Sequence, residues 1–216
     1  MALILYTGTK NASSWALRAW LPLRELNIPF QEHVVDIRRP QRYANLAKIA
    51  EFSVPGAVPV LVDDGVVIFD SLAVMEYANE LGGGTLLPKE IRLRAHARSL
   101  VAWVHSGMSE LCSSISFESS FYKEHTPLSA TETAEVESVF AIWEQELARS
   151  GGPFLVGELS LADLTFVPTI RRLLSRDVSI AEWPLAQAWT ERMISRQSVV
   201  EWMREAESLP PVISDE

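Results

Sequence analysis

The sequence predicts an α/β first domain ordered β-α-β-α-β-β-α, followed by an all-α second domain built as a helical bundle. Two observations predict this fold class. Residues 1–81 alternate short apolar runs, typical of buried strands, with segments of helical periodicity. Residues 92–216 show helical periodicity with no strand pattern between the helices. Residues 82–91, which begin with three glycines, are the predicted linker.

The elements of the first domain follow in order. Leu3–Tyr6 is an apolar run that predicts a strand, and the caps Asn11, Ser13 and Ser14 predict a helix that runs to about Leu26. A second strand, a second helix, a hairpin around an Asp-Asp-Gly turn and a third helix come next. Their predicted ranges are 30–37, 41–51, 58–62 with 66–69, and 71–81.

The second domain is predicted to contain only helices, punctuated by Gly, Pro and Ser/Thr. They are placed at about 92–114, 131–149, 161–175, 184–194 and 198–207. Core packing explains the tryptophans at helical positions in this domain, which are Trp143, Trp183, Trp189 and Trp202.

Composition and charge exclude several classes of function. The 216 residues are 48% hydrophobic with a net charge of −9, which disfavours nucleic acid and anionic membranes as partners. The single cysteine, Cys112, cannot close an intrachain disulfide, and the four histidines lack metal-ligand spacing, so no metal site is expected. No apolar run reaches 18 residues and no signal peptide is recognised, so the expected location is the cytoplasm.

Two short motifs have both a structural and a ligand-binding interpretation. Pro59 is either a trans proline beginning an edge strand or a cis proline that leaves the backbone of Val58 free to pair with an extended peptide. Asp70 and Ser71 are strong N-caps, and they also suit an α-amino acid head group. Asp70 would accept from its ammonium, and Ser71 would hold its carboxylate at the positive helix end. Such a head group, followed by extended backbone, describes the γ-glutamyl end of glutathione.

The turn between the first strand and the first helix could activate a thiol. Lowering a thiol pKa by about two units from about 8.5 requires about 2.7 kcal/mol. One hydrogen bond to a charged acceptor supplies about 1.5–3 kcal/mol, and a helix N-terminus adds about 0.3–1 kcal/mol. A hydroxyl at Ser13 therefore suffices without a general base. The alternative is that Ser13 and Ser14 are plain helix caps.

Over nearly its full length the chain resembles the cytosolic glutathione transferases. Four segments carry the resemblance: Ser13 with Arg18 five residues later, 56–59 (Gly-Ala-Val-Pro), the Asp70-Ser71 pair, and the helix-capping segment 157–163 (Gly-Glu-Leu-Ser-Leu-Ala-Asp). A serine in this place is typical of the serine-type classes zeta, tau and phi, and the chain looks like a bacterial-style member of that kind. Tyr6 lies inside the strand, so a packing role is predicted for it, and Ser14 is the second candidate for the activating serine.

The resemblance implies a thioredoxin-like first domain that binds glutathione and a helical second domain that forms a hydrophobic substrate pocket. It implies a cytoplasmic homodimer with glutathione as co-substrate, and Ser13 as the catalytic residue. The reaction would be attack on a hydrophobic electrophile, or related isomerase or peroxidase chemistry. Trp103 and His105 are the candidates for the second-substrate pocket. The implied glutathione-binding residues are Ser13, Ser14, Val58, Pro59, Asp70 and Ser71.

Two departures from the family pattern leave alternatives open. Asp70 stands where the family usually has Glu, and Ala57 stands where many members have Lys or Gln for the glycine carboxylate. That contact would fall to Arg38, Arg39 or Gln41. The alternative function is a non-catalytic interaction or regulatory module on the same fold. A redox role for Cys112 is disfavoured, because Cys112 lies in the second domain.

Overall fold

The computed structural model describes residues 3–212 and divides the chain into two units. The first unit holds the residues up to Gly84 together with those from Glu201 onward, and the second unit holds Thr85–Val200. The break after Gly84 falls within the predicted linker 82–91, whereas the residues from Glu201 onward, which were expected in the helical domain, lie in the first unit. The C-terminal boundary differs because Trp202 packs edge-on against Trp20 of the first unit, with 5.4 Å between the ring centroids.

The first unit contains a four-stranded sheet in the order β2-β1-β3-β4. β2 runs parallel to β1, whereas β3 is antiparallel to both β1 and β4. The central strands bury their apolar side chains, including Leu5 and Leu61. The strands are β1 (Leu3–Gly8), β2 (Phe30–Val35), β3 (Val60–Asp63) and β4 (Val66–Phe69).

The strand register brings three chain segments to one edge of the sheet. Tyr6 of β1 lies opposite Val60 of β3, and Val60 lies opposite Phe69 of β4. The end of β1, the beginning of β3 and the end of β4 are therefore neighbours. The turn that follows β1, the Val58-Pro59 segment and the Asp70-Ser71 pair all extend from this edge.

The helices of the first unit confirm the predicted order β-α-β-α-β-β-α. α1 and α3 pack on each other, and each helix has fully buried apolar residues, such as Leu17 in α1 and Val74 in α3. Pro22 lies inside α1. α9 begins in residues of the second unit and continues into those of the first. The helices are α1 (Ser14–Glu25), α2 (Arg42–Ala50), α3 (Ser71–Leu81) and α9 (Gln197–Ser208).

The second unit is helical, as predicted, and an aromatic cluster fills its core. Trp143 lies 5.6 Å from Phe166 and 5.1 Å from Trp189, measured between ring centroids. Within residues 3–212, no helix has both the length and the apolar character needed to cross a membrane. The α-helices of this unit are α4 (Ile91–Ala102), α5 (Ser109–Ser114), α6 (Ala130–Ser150), α7 (Leu161–Leu174) and α8 (Pro184–Ile194).

The single helix predicted over 92–114 is interrupted. A π-helical turn, Trp103–Gly107, separates α4 from α5. A Cβ on Gly107 would lie 2.6 Å from Cδ1 of Trp103, so the indole occupies the space beside this glycine. Glycine also costs about 1 kcal/mol in a helix interior, which favours the interruption here.

The segment 157–163 begins α7 as its sequence predicts. The backbone N–H of Ser160 donates to Oδ2 of Asp163 over 2.9 Å, and Leu155 N–H and Trp189 Nε1–H both donate to Oδ1. Burial raises the pKa of the Asp163 carboxyl, although these donors oppose that rise. This motif joins α7, α8 and the preceding loop within the second unit.

Candidate active site

The turn between β1 and α1 holds Ser13 and Ser14, each only 4% exposed. The carbonyl of Thr9 accepts from the N–H groups of Ala12 and Ser13, over 2.9 and 3.0 Å. Ser13 is the N-cap of α1, and Ser14 is the first helical residue. The turn therefore sets the backbone direction at Ser13 before the helix begins.

The Ser13 hydroxyl has two roles available at once. Its oxygen accepts from the N–H of Ala16 over 3.2 Å, which caps α1. A hydroxyl has one donor besides its acceptor lone pairs, so the Ser13 O–H can still donate to an anion. The capping and thiol-activating interpretations are therefore compatible. Gly8 makes the close packing behind Ser13 possible, because a Cβ there would lie 2.8 Å from the Ser13 Cβ.

The predicted packing role of Tyr6 agrees with its contacts. Its ring stacks on His33 with 5.3 Å between centroids and tilts against Phe52 at 5.1 Å. Tyr6 is therefore a packing residue of β1 that contacts His33 and Phe52.

Asp70, and not Ser71, caps α3. Asp70 has a positive φ of 74°, and its carboxylate accepts from the N–H of Leu72 over 2.7 Å. Ser71 is the first residue of the helix and is 2% exposed. Within residues 3–212, the buried Ser71 Oγ has no hydrogen-bond partner. A buried hydroxyl without a partner is unfavourable, and at a helix N-terminus it suits a carboxylate ligand.

The peptide bond between Val58 and Pro59 is cis, which was one of the two predicted alternatives. β3 begins only at Val60, so Val58 lies before the antiparallel ladder. Among the described residues, the backbone N–H of Val58 has no backbone partner.

The candidates for the glycine carboxylate differ in their surroundings. Arg38 donates from Nε and Nη2 to the Asp36 carboxylate, both over 2.9 Å. This pairing lowers the pKa of Asp36 to about 2. The Arg39 guanidinium lies 5.9 Å from the Tyr43 ring centroid, and the Gln41 side chain makes no capping bond at α2.

The candidates for the second-substrate pocket lie in the second unit, on the π-helical turn. Trp103 and His105 are both half-buried, and the Trp103 ring meets Phe166 at 5.8 Å. Cys112 follows in α5 and is also half-buried. Within residues 3–212, no cluster of His, Cys, Asp or Glu could hold a metal ion.

The residues that hold the turn between β1 and α1 through contacts distant in sequence were not predicted. Lys10 and Asn11 are buried, and their contacts reach Trp202, Glu205 and Pro210. A local pattern cannot reveal contacts across a separation of 192 or 199 residues. The sequence offers one sign of such contacts, which is the position of the cationic residue Lys10 between Thr9 and Asn11 of the turn.

The fold and site define a class of protein: a thioredoxin-like α/β unit, with polar turns at one sheet edge, joined to an all-helical unit. Comparison with known proteins narrows this class. The family model described as the N-terminal domain of glutathione S-transferase matches residues 12–81, and that of the C-terminal domain matches residues 108–197. The chain belongs to the glutathione S-transferase family.

Individual proteins agree with this assignment. A probable maleylacetoacetate isomerase from Caenorhabditis elegans is 28% identical over 202 residues, which cover 88% of this chain and 87% of the relative. Glutathione transferase F2 from Populus trichocarpa has a similar structure, with a TM-score of 0.77 and 19% identity, covering 95% of this chain and 99% of that one. A Burkholderia glutathione transferase homologue with bound glutathione has a TM-score of 0.69 and 21% identity, covering 97% and 100%.

Proposed function

We propose that this chain is a glutathione-dependent transferase in which Ser13 activates the glutathione thiol for attack on a hydrophobic electrophile. The observation that carries the proposal is the buried Ser71 hydroxyl at the N-terminus of α3, which has no hydrogen-bond partner among residues 3–212. Its chemistry fits the γ-glutamyl carboxylate of glutathione. The bound tripeptide would supply the nucleophilic sulfur.

The residues at the sheet edge divide the binding task. Ser71 Oγ–H and backbone N–H groups at the N-terminus of α3 would bind the γ-glutamyl carboxylate. The Asp70 carboxylate would accept from the ammonium, and the backbone of Val58 beside Pro59 would pair with the cysteinyl residue. The strand register supports this assignment, because it brings the three segments to one edge.

Ser13 would stabilise the thiolate by donating its O–H while its oxygen keeps the cap on α1. The proton of the thiol leaves to solvent, so this step needs no general base. Ser14, the first residue of α1, remains the second candidate. The N-terminus of α1 would add a favourable field at the sulfur.

Two reactions are candidates, which are conjugation of glutathione to an electrophile and glutathione-dependent isomerisation. Glutathione-dependent isomerisation is favoured by one observation, the similarity to the nematode protein named probable maleylacetoacetate isomerase. Trp103 and His105 are proposed to contact the second substrate in either case. We also propose that the protein acts as a cytoplasmic homodimer.

The decisive experiment is a titration of bound glutathione by the ultraviolet absorbance of its thiolate, after retention on immobilised glutathione. We expect retention and a thiol pKa about two units below its free value. Conjugation of 1-chloro-2,4-dinitrobenzene and isomerisation of maleylacetoacetate would then be compared. Retention without a lowered pKa, and with neither activity, would instead indicate the non-catalytic interaction module.

A further inference from the structure

The segment of residues 201–210, which follows the helical unit in sequence, holds the turn that carries Ser13. The Lys10 ammonium lies 2.8 Å from Glu205 Oε2 and 3.1 Å from Glu32 Oε2. It also lies 4.8 Å from the Trp202 ring centroid and 5.3 Å from that of Trp20. The Lys10 side chain is only 4% exposed, so these four groups replace its water.

The same segment also binds the turn directly. Trp202 Nε1–H donates to the backbone carbonyl of Lys10 over 3.0 Å. Asn11 Nδ2–H donates to the carbonyl of Pro210 over 2.9 Å. Two consecutive residues of the turn are therefore held by hydrogen bonds to the C-terminal segment.

The opposite side of the turn is held by β2 and the loop after it. Thr9 Oγ1 accepts from the Ile37 N–H over 3.0 Å and donates to Asp36 over 3.2 Å. Thr7 Oγ1 donates to Glu32 over 2.8 Å. The Thr9 carbonyl in turn fixes the Ser13 N–H. The orientation of residues 9–11 is thus linked to the Ser13 cap through the hydrogen bonds that the Thr9 carbonyl accepts from Ala12 and Ser13.

We propose that Trp202 and Glu205 are positioning residues for Ser13, which direct its O–H toward the glutathione sulfur by fixing the turn at Lys10. This inference rests on the proposed function. The Nε1–H of Trp202 and the carboxylate of Glu205 both end on Lys10 of the turn. A phenyl ring at position 202 keeps an aromatic side chain against Trp20 and removes that N–H, so the substitution acts first on the turn. The expected consequence is a weaker bond from Ser13 to the thiolate.

The test compares Trp202→Phe and Glu205→Gln with Glu201→Gln as the matched control. Glu201 lies one turn earlier on α9 and accepts from Arg24 at 2.6 Å, so its variant removes the same charge and an ion pair but leaves Lys10 untouched. We expect both test variants to raise the pKa of bound glutathione by about half to one unit, which lowers the thiolate fraction about three- to tenfold at a pH well below the wild-type pKa. The glutathione dissociation constant should change less than about twofold. The control should titrate as the wild type does.

Amide hydrogen exchange over residues 9–16, measured without glutathione, provides a second readout. Faster exchange in both test variants and not in the control supports the positioning role. A wild-type pKa in both test variants, or an equal shift in Glu201→Gln, overturns it. A wild-type protein that shows no thiolate contradicts the proposed function itself, and the inference falls with it.

Discussion

Replacing Ser71 by alanine separates ligand binding from helix capping. Asp70 already caps α3 through its 2.7 Å bond with Leu72, and the Ser71 Oγ has no partner within residues 3–212. Ser71→Ala therefore removes a buried hydroxyl that makes no hydrogen bond to the described part of the chain. The free energy of unfolding should stay within about 0.5 kcal/mol of the wild-type value.

Glutathione binding should respond differently. A hydrogen bond from a hydroxyl to a carboxylate contributes about 1.5–3 kcal/mol, so the dissociation constant should rise about ten- to a hundredfold. Calorimetric titration with glutathione, with thermal melts alongside, measures both quantities. The affinity should fall because the Ser71 Oγ, which has no partner within residues 3–212, is the proposed donor to the glutathione carboxylate.

Ser53→Ala is the matched control. Ser53 is also buried, and its Oγ also has no partner among the described residues, but it lies in the turn after α2. The Ser53→Ala variant should bind glutathione with the affinity of the wild type. Unchanged affinity in Ser71→Ala, or an equal loss in Ser53→Ala, would refute the assignment of the carboxylate to α3.

Four further predictions test the remaining steps. Ser13→Ala should lower kcat/KM about 10–100-fold and cost about 1 kcal/mol of stability through the lost cap; a loss confined to Ser14→Ala would move the catalytic role by one residue. Asp163→Ala should destabilise the protein by about 3–5 kcal/mol in a denaturant titration, because it leaves three buried N–H donors unpaired; a cost below about 1 kcal/mol would contradict this. The folded-state pKa of Asp36 is about 2 against 3.8, so its ionised form stabilises the fold above the higher value and that stabilisation is lost as the pH falls. The melting temperature of Asp36→Asn should therefore drop less than that of the wild type between about pH 4 and about pH 2. An equal drop in both proteins would contradict this prediction. Light scattering should give a mass of twice 24.1 kDa for the wild type, as expected for a dimer. Val54→Asp should give a smaller mass, because the apolar side chain of Val54 is 90% exposed and is a candidate for the dimer interface. A monomeric wild type would contradict the proposed dimer.

Local patterns predicted the parts of the fold that depend on neighbouring residues. The apolar run at Leu3–Tyr6, the candidate caps around Ser13 and the Asp70-Ser71 pair predicted β1, α1 and α3 close to their observed positions. The spacing of Ser160 and Asp163 predicted the start of α7. Each of these features is set within about four residues, which is the range over which capping and periodicity act.

Other features could not be predicted, because they depend on contacts that sequence spacing does not encode. The π-helical turn arises where the Trp103 indole lies beside Gly107, and helical periodicity continues through it. The assignment of Trp202 to the first unit depends on its packing against Trp20. Which of Asp70 and Ser71 caps α3 depends on the positive φ at Asp70.

The first unit is discontinuous along the chain, and this affects the order in which its parts become available during synthesis. Lys10 leaves the ribosome early, whereas its partner Trp202 is added 192 residues later. At a synthesis rate of about 5–20 residues per second, about 10–40 s pass between the synthesis of Lys10 and that of Trp202. A fragment that ends at Gly84 would lack them altogether. Production of the first unit by itself therefore requires a chain in which residues 201–212 are joined to residues 3–84.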